Sequence, residues 1–161
     1  MKARILLALA IVLSGTPWAS SYAQTRKPTA QEVAAIRNCA TKYQDDVEAG
    51  EQHCLFDLVA TPCTKTREGS SNLGTADCYR VEWVIWDNLL NENFKNLMGA
   101  IDNQQIAKLR AMQQAWIAYR DTTCNFYMDK IQGSMAIPMG AACAARETAR
   151  RALLLRFFDQ L

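Results

Sequence analysis

The sequence predicts an all-α, disulfide-stapled helical bundle built on an antiparallel helical hairpin. Three observations carry that prediction. Apolar residues recur at helical spacing over long stretches, above all Tyr79, Trp83, Trp86, Leu90, Phe94, Leu97 and Ile101. No stretch of useful length alternates apolar and polar residues as a half-buried strand does. Six cysteines, Cys39, Cys54, Cys63, Cys78, Cys124 and Cys143, follow a leader of secretory type. An even count in that setting reads as three disulfides formed in an oxidising compartment.

The leader covers residues 1–23. Lys2 and Arg4 precede an apolar run from Ile5 to Leu13, and Ser21-Tyr22-Ala23 makes a small-x-small cleavage site, so a signal peptide cut after Ala23 is expected. The run is too short to anchor the chain across a bilayer, and no cysteine near the cut offers a lipid attachment point. Residues 24–161 then form a single domain in the periplasm or outside the cell. With Lys2 and Arg4 removed, the 18 basic residues fall level with the 16 acidic ones. Nucleic acid, which needs a basic face, is therefore not an expected partner.

In chain order, Thr29-Ala30-Gln31-Glu32 is a capping box that opens the first helix. Val33, Ile36, Ala40, Tyr43 and Val47 follow at helical spacing, and Gly50 is read as its end. A short second helix is expected over 51–60, stopping before Pro62. Residues 64–77 are polar and rich in Gly and Ser, which predicts a long surface loop between Cys63 and Cys78. The third helix carries the Tyr79–Ile101 stripe, with Gly99 at its fraying end. Asp102 and Gln105 form a second capping box at the start of the fourth, which runs to about Lys130 or Ile131. Two neighbouring stripes give that helix a wide inward face. One is Leu109, Met112, Trp116, Tyr119, Thr123 and Phe126; the other is Ile106, Leu109, Gln113, Trp116, Arg120, Cys124 and Tyr127. A turn at Gly133-Ser134 leads to a fifth helix with Pro138 in its first turn. That helix is expected to bury Cys143, Leu153, Leu154, Phe157 and Leu161.

Catalytic and metal signatures are few. No CxxC occurs and His53 is the sole histidine, which removes the zinc-ribbon, thioredoxin-like and c-type haem patterns. No Gly-rich phosphate loop or nucleophile elbow is present. The chain is read as a non-enzyme that takes no metal or cofactor. Two constellations stand out. Arg120 lies in line with Trp116 and Cys124 on the inward stripe, where a guanidinium must be paired. Asp87, one turn from Asn91 on the third helix, is the expected partner, giving a register-fixing ion pair; a polar ligand pocket between the helices is the alternative. The second constellation is "YQDDVEAGEQHCLFDL" at 43–58, with Asp45, Asp46, Glu48, Glu51 and Asp57 and no Lys or Arg. Such a run is usually a solvated face, but its field can also steer a basic partner.

The units "EWVIWDNLLNENFKNL" and "LRAMQQAWIAYRDTTCNF", then "GSM" and the cysteine of "AACAARETARRAL", resemble the LprI-like lysozyme-inhibitor family of bacterial periplasmic and lipid-anchored proteins. The resemblance covers roughly residues 78–158. Its core is Trp86-Asp87…Leu90-Asn91 and Gln114-x-Trp116…Arg120-Asp121-x-x-Cys124, and the upstream "CLFDLVATPC" and "DCYRVEW" extend it. It implies a small helical domain with a Cys124–Cys143 staple, which the turn near Gly133 would also favour. Cys39–Cys54 and Cys63–Cys78 are the next pairings, each closing a local loop. It further implies inhibition of lysozyme, with Trp86, Asp87, Asn91, Trp116, Arg120 and Asp121 as architectural residues. The alternative is a structural or stress-related periplasmic helical protein with another partner. Lysozymes are typically cationic, so the 43–58 run suits a basic lysozyme-type enzyme.

Overall fold

The computed structural model describes residues 26–161; the leader and its cleavage site lie outside the described residues. Among the described residues every regular element is a helix, and there is no strand. The helices are α1 (Ala30–Lys42), α2 (Val47–Cys54), α3 (Ala60–Thr64), α4 (Asn72–Ala100), α5 (Asn103–Ile131) and α6 (Ala136–Phe158). Three disulfides, Cys39–Cys54, Cys63–Cys78 and Cys124–Cys143, leave no free cysteine among them.

Both predicted capping boxes form. The Thr29 hydroxyl accepts from the Glu32 N–H, and the Glu32 carboxylate accepts from the Thr29 N–H. Asp102 and Gln105 repeat the exchange at the start of α5. Arg26 reaches back to the same Glu32 carboxylate, and these donors hold its pKa down at about 2.

The region after α1 differs from expectation. The first helix stops at Lys42, and Val47 belongs to α2, because the Asp46 side chain accepts from the Ala49 N–H and starts a new helix there. Gly50 does not end a helix. It sits buried inside α2, and a Cβ at that position would lie 3.1 Å from a Leu153 methyl. The missing side chain lets α2 lie close on α6. No helix spans 51–60. Instead Pro62 falls within the first turn of α3, where its missing N–H would have had no intrahelical acceptor. The predicted loop is also shorter. Ser71 accepts from the Gly74 N–H and α4 begins at Asn72, so half of the polar stretch is helical.

Helix α4 is the central element. All seven residues of its predicted stripe are buried or half-buried. A second row of Cys78, Val81, Ile85 and Leu89 is buried beside them. Its main packing partner is α6. Two polar ties fix that pair: the Trp83 indole N–H donates to Thr148 Oγ1 at 3.1 Å, and the Asn93 amide donates to the Ala152 carbonyl at 2.9 Å. Helix α5 returns antiparallel through the short link Ile101–Asp102 and leans on α6. Its inward face is narrower than predicted. Leu109 and Cys124 are buried and Trp116 half-buried, but Tyr119 and Phe126 are 54% and 61% exposed. Gln132 and Gly133 turn the chain with positive φ into α6. Cys143 and Leu153 are buried there as expected, Leu154 and Phe157 are half-buried, and Leu161 is exposed.

Candidate functional site

The acidic segment is split by the fold. Asp45, Asp46, Glu48 and Asp57 are exposed around α2. Glu51 is turned inward and pairs with Arg150 of α6 at 2.5 Å. Arg146, 5.6 Å from the Phe56 ring, borders the same surface. The face that reaches solvent is therefore carried by four carboxylates, one of which, Asp46, also caps α2.

Arg120 does not meet Asp87. Its Nε donates to Asp121 at 2.9 Å and its guanidinium stacks over the Trp116 ring at 4.9 Å. Asp87 accepts instead from the Asn91 amide, one turn along α4. Helices α4 and α5 pack little on each other and each packs on α6 instead. Arg120 shares with Arg80 and Trp83 the lining of a cleft of about 380 Å³ between the three long helices. Helix α4 supplies Arg80 and Trp83; α5 supplies Arg120, Asp121, Asn125 and Met128; α6 supplies Ile137, Gly140 and Ala144. The Cys124–Cys143 disulfide ties α5 to α6 beside it. Arg120 lines this cleft, and its charge is held by its chain neighbour Asp121, not by a facing helix.

The buried charges are elsewhere. Glu82 is fully buried on α4. Its carboxyl accepts from the backbone N–H of Phe56 at 2.8 Å, the N–H of Ala60 at 2.9 Å and the Trp86 indole at 3.2 Å. Burial pushes its pKa above the usual carboxylate range against the pull of these three donors. It anchors the Leu55–Val59 connection, where Phe56 adopts a positive φ, and the start of α3. Arg151 on α6 is another. Its Nε donates to Gln113 at 2.8 Å, its guanidinium lies 5.8 Å from the Trp116 ring, and its Nη2 is buried without a hydrogen-bond partner. Burial lowers its pKa. Sequence reasoning missed both, although a lone acid one turn before Trp86 on the most apolar stripe was a usable signal for Glu82. Among the described residues no cluster of His, Cys, Asp and Glu is arranged to hold a metal. His53 stacks on Tyr43 at 5.1 Å between ring centroids.

Three consecutive-pair disulfides on a strand-free frame define a small disulfide-bonded all-α protein. Residues 63–155 match the family model described as lysozyme inhibitor LprI, and the chain belongs to that family. Neither the curated proteins nor the solved structures hold a significant match to it. The matched segment contains Glu82, the cleft and two of the disulfides; the acidic segment at 45–57 precedes it. No helix among the described residues is long and apolar enough to cross a membrane.

Proposed function

We propose that this protein is a periplasmic or secreted inhibitor that acts by binding a basic lysozyme-type cell-wall hydrolase, and is not itself an enzyme. The observation that carries the reading is the family match over residues 63–155. Residues 1–23 serve as a cleaved signal peptide, and residues 24–161 form one domain in this reading. The three disulfides suit an oxidising compartment. The exposed Asp45, Asp46, Glu48 and Asp57 supply a negative field toward a cationic enzyme. Because this face precedes the matched segment, it adds steering to the family's activity rather than defining it.

The test is lysozyme-driven lysis of cell-wall suspensions in the presence of the purified protein. Lysis slows as the protein is added at low salt, and association slows as salt rises. Changing Asp45, Glu48 and Asp57 together to lysine weakens the inhibition while the melting temperature stays nearly constant, since these side chains are exposed; Asp46 is left in place because it caps α2. Unchanged lysis at micromolar excess and low salt overturns the inhibitor reading.

A further inference from the structure

We propose that the cleft between α4, α5 and α6 binds a linear carboxylate with an apolar body, of which a free medium-chain acyl carboxylate is the simplest case. The site is distinct from the acidic face and does not rest on the inhibitor reading.

The walls and the rim of the cleft differ in chemistry. Trp83, Met128, Ile137 and Ala144 make the walls apolar. Gly140 lies between them on α6. A Cβ there would find its nearest neighbours at 3.6 Å, the Cys124 carbonyl oxygen, and 4.0 Å, the Met128 sulfur. Alanine would thus fit, and a helical glycine costs about 0.5–1 kcal/mol relative to alanine. What the glycine provides is depth in the cleft. At the rim stand two guanidiniums, Arg80 and Arg120, together with the carboxylate of Asp121. Each holds one aspartate at 2.7 Å, Asp77 and Asp121 respectively. A guanidinium carries five N–H donors, so both retain donors for a further carboxylate, which Arg recognises with two parallel bonds. The Arg120 side chain is only 18% exposed and stacked on Trp116, so its charge is pre-positioned and partly shielded from water. An anion at the rim with its tail along Trp83 and Met128 satisfies both chemistries. A trimethylammonium offers the remaining guanidinium N–H groups no acceptor, and a neutral alcohol offers them one uncharged oxygen where a carboxylate offers two charged ones. The volume of about 380 Å³ lies at the small end of the ligand-pocket range, so the cleft takes one chain of about ten carbons rather than a two-chain lipid.

The test uses the mature chain with its disulfides intact and decanoate as the probe, kept below micelle-forming concentration. Tryptophan fluorescence and backbone amide shifts follow the titration, with decanol, decyltrimethylammonium and acetate as comparisons. Saturable one-to-one binding is expected, with shifts confined to the segments around 80–83, 120–128 and 137–144. Decanol binds at least about tenfold more weakly, the loss of one charged hydrogen-bond pair; the ammonium and acetate do not bind. Arg120→Met and Arg80→Met each weaken decanoate by a similar factor, and Gly140→Leu blocks it. Arg80 is largely exposed and bonded only locally, so its variant folds even if the Arg120 variant does not. Equal affinity for decanol and decanoate, unchanged affinity in Arg80→Met, shifts spread along the outer face of α5 at Ile117 and Phe126, or no saturable binding overturns the proposal.

Discussion

Helices α4 and α5 have the same length, 29 residues each, and opposite environments. Ten residues of α4 are buried, against Leu109 and Cys124 alone on α5. The first helix is enclosed by α6, α3 and α1 and carries the fully buried carboxylate of Glu82. The second touches the core along one edge, is stapled at its far end, and leaves Ile117, Tyr119, Phe126 and Met128 in solvent. Equal apolar content therefore does different work in the two helices. In α4 it builds the core. In α5 the inner edge does that, and the remainder forms one wall of a cleft and an open surface.

The contrast can be broken most severely at Trp86, which is fully buried on α4. Trp86→Ala should cost about 3–5 kcal/mol, read as a large drop in denaturant midpoint. On α5 the comparable loss comes from the staple: Cys124→Ser with Cys143→Ser opens a loop of sequence separation 19 and should cost about 3 kcal/mol. Hydrogen exchange should show that this second loss loosens the outer half of α5 while α4 amides stay protected. If both variants lose protection evenly, the two helices are one cooperative unit and the comparison fails.

A smaller effect sharpens the account of Glu82. In Glu82→Gln the amide nitrogen replaces one carboxylate oxygen and confronts a backbone N–H of Phe56 or Ala60, leaving a buried donor unpaired at about 1–3 kcal/mol. The pH dependence separates this acid from Glu32. Glu82 has a raised folded pKa, so it binds its proton more tightly when folded, and its contribution to stability falls as pH rises from the ordinary carboxylate value through the folded one. Glu32, with its folded pKa lowered to about 2, contributes fully above the ordinary value, and that contribution is lost as pH drops toward 2. Melting curves of Glu82→Gln and Glu32→Gln against wild type should diverge in opposite directions across the acid range. Smallest of all, Phe126→Ala on the outer face of α5 should change stability by no more than about 0.5 kcal/mol. Gly140→Ala should raise it by about 0.5–1 kcal/mol.

The parts legible in the sequence were those set by few residues close in the chain. Thr29 with Glu32 and Asp102 with Gln105 each fix a helix start alone, and the cysteine pairs close short loops. The Ser71 cap was hidden by polar neighbours that read equally well as loop. Asp46 and Gly50 are both helix-boundary residues, and only packing against Leu153 shows which one marks the boundary. The inward face of α5 was drawn too wide for a different reason. Periodicity gives the apolar arc of a helix but not how much of it a neighbour covers, and α5 has only one close neighbour where α4 has several. For the same reason Arg120 finds no partner on α4: the two helices pack little on each other, and its guanidinium pairs with Asp121 and lines a cleft.

The disulfides join each cysteine to the next one in the chain: first to second, third to fourth, fifth to sixth. A chain emerging from its N-terminus therefore presents every cysteine's native partner as the next thiol to appear. Oxidation in order of appearance yields the native set, with no crossed link to be undone. Each closure also draws together elements close in sequence: α1 with α2, α3 with α4, and α5 with α6. Covalent assembly can thus run ahead of the tertiary contacts between α4 and α6, leaving that last packing step to three already tethered pieces.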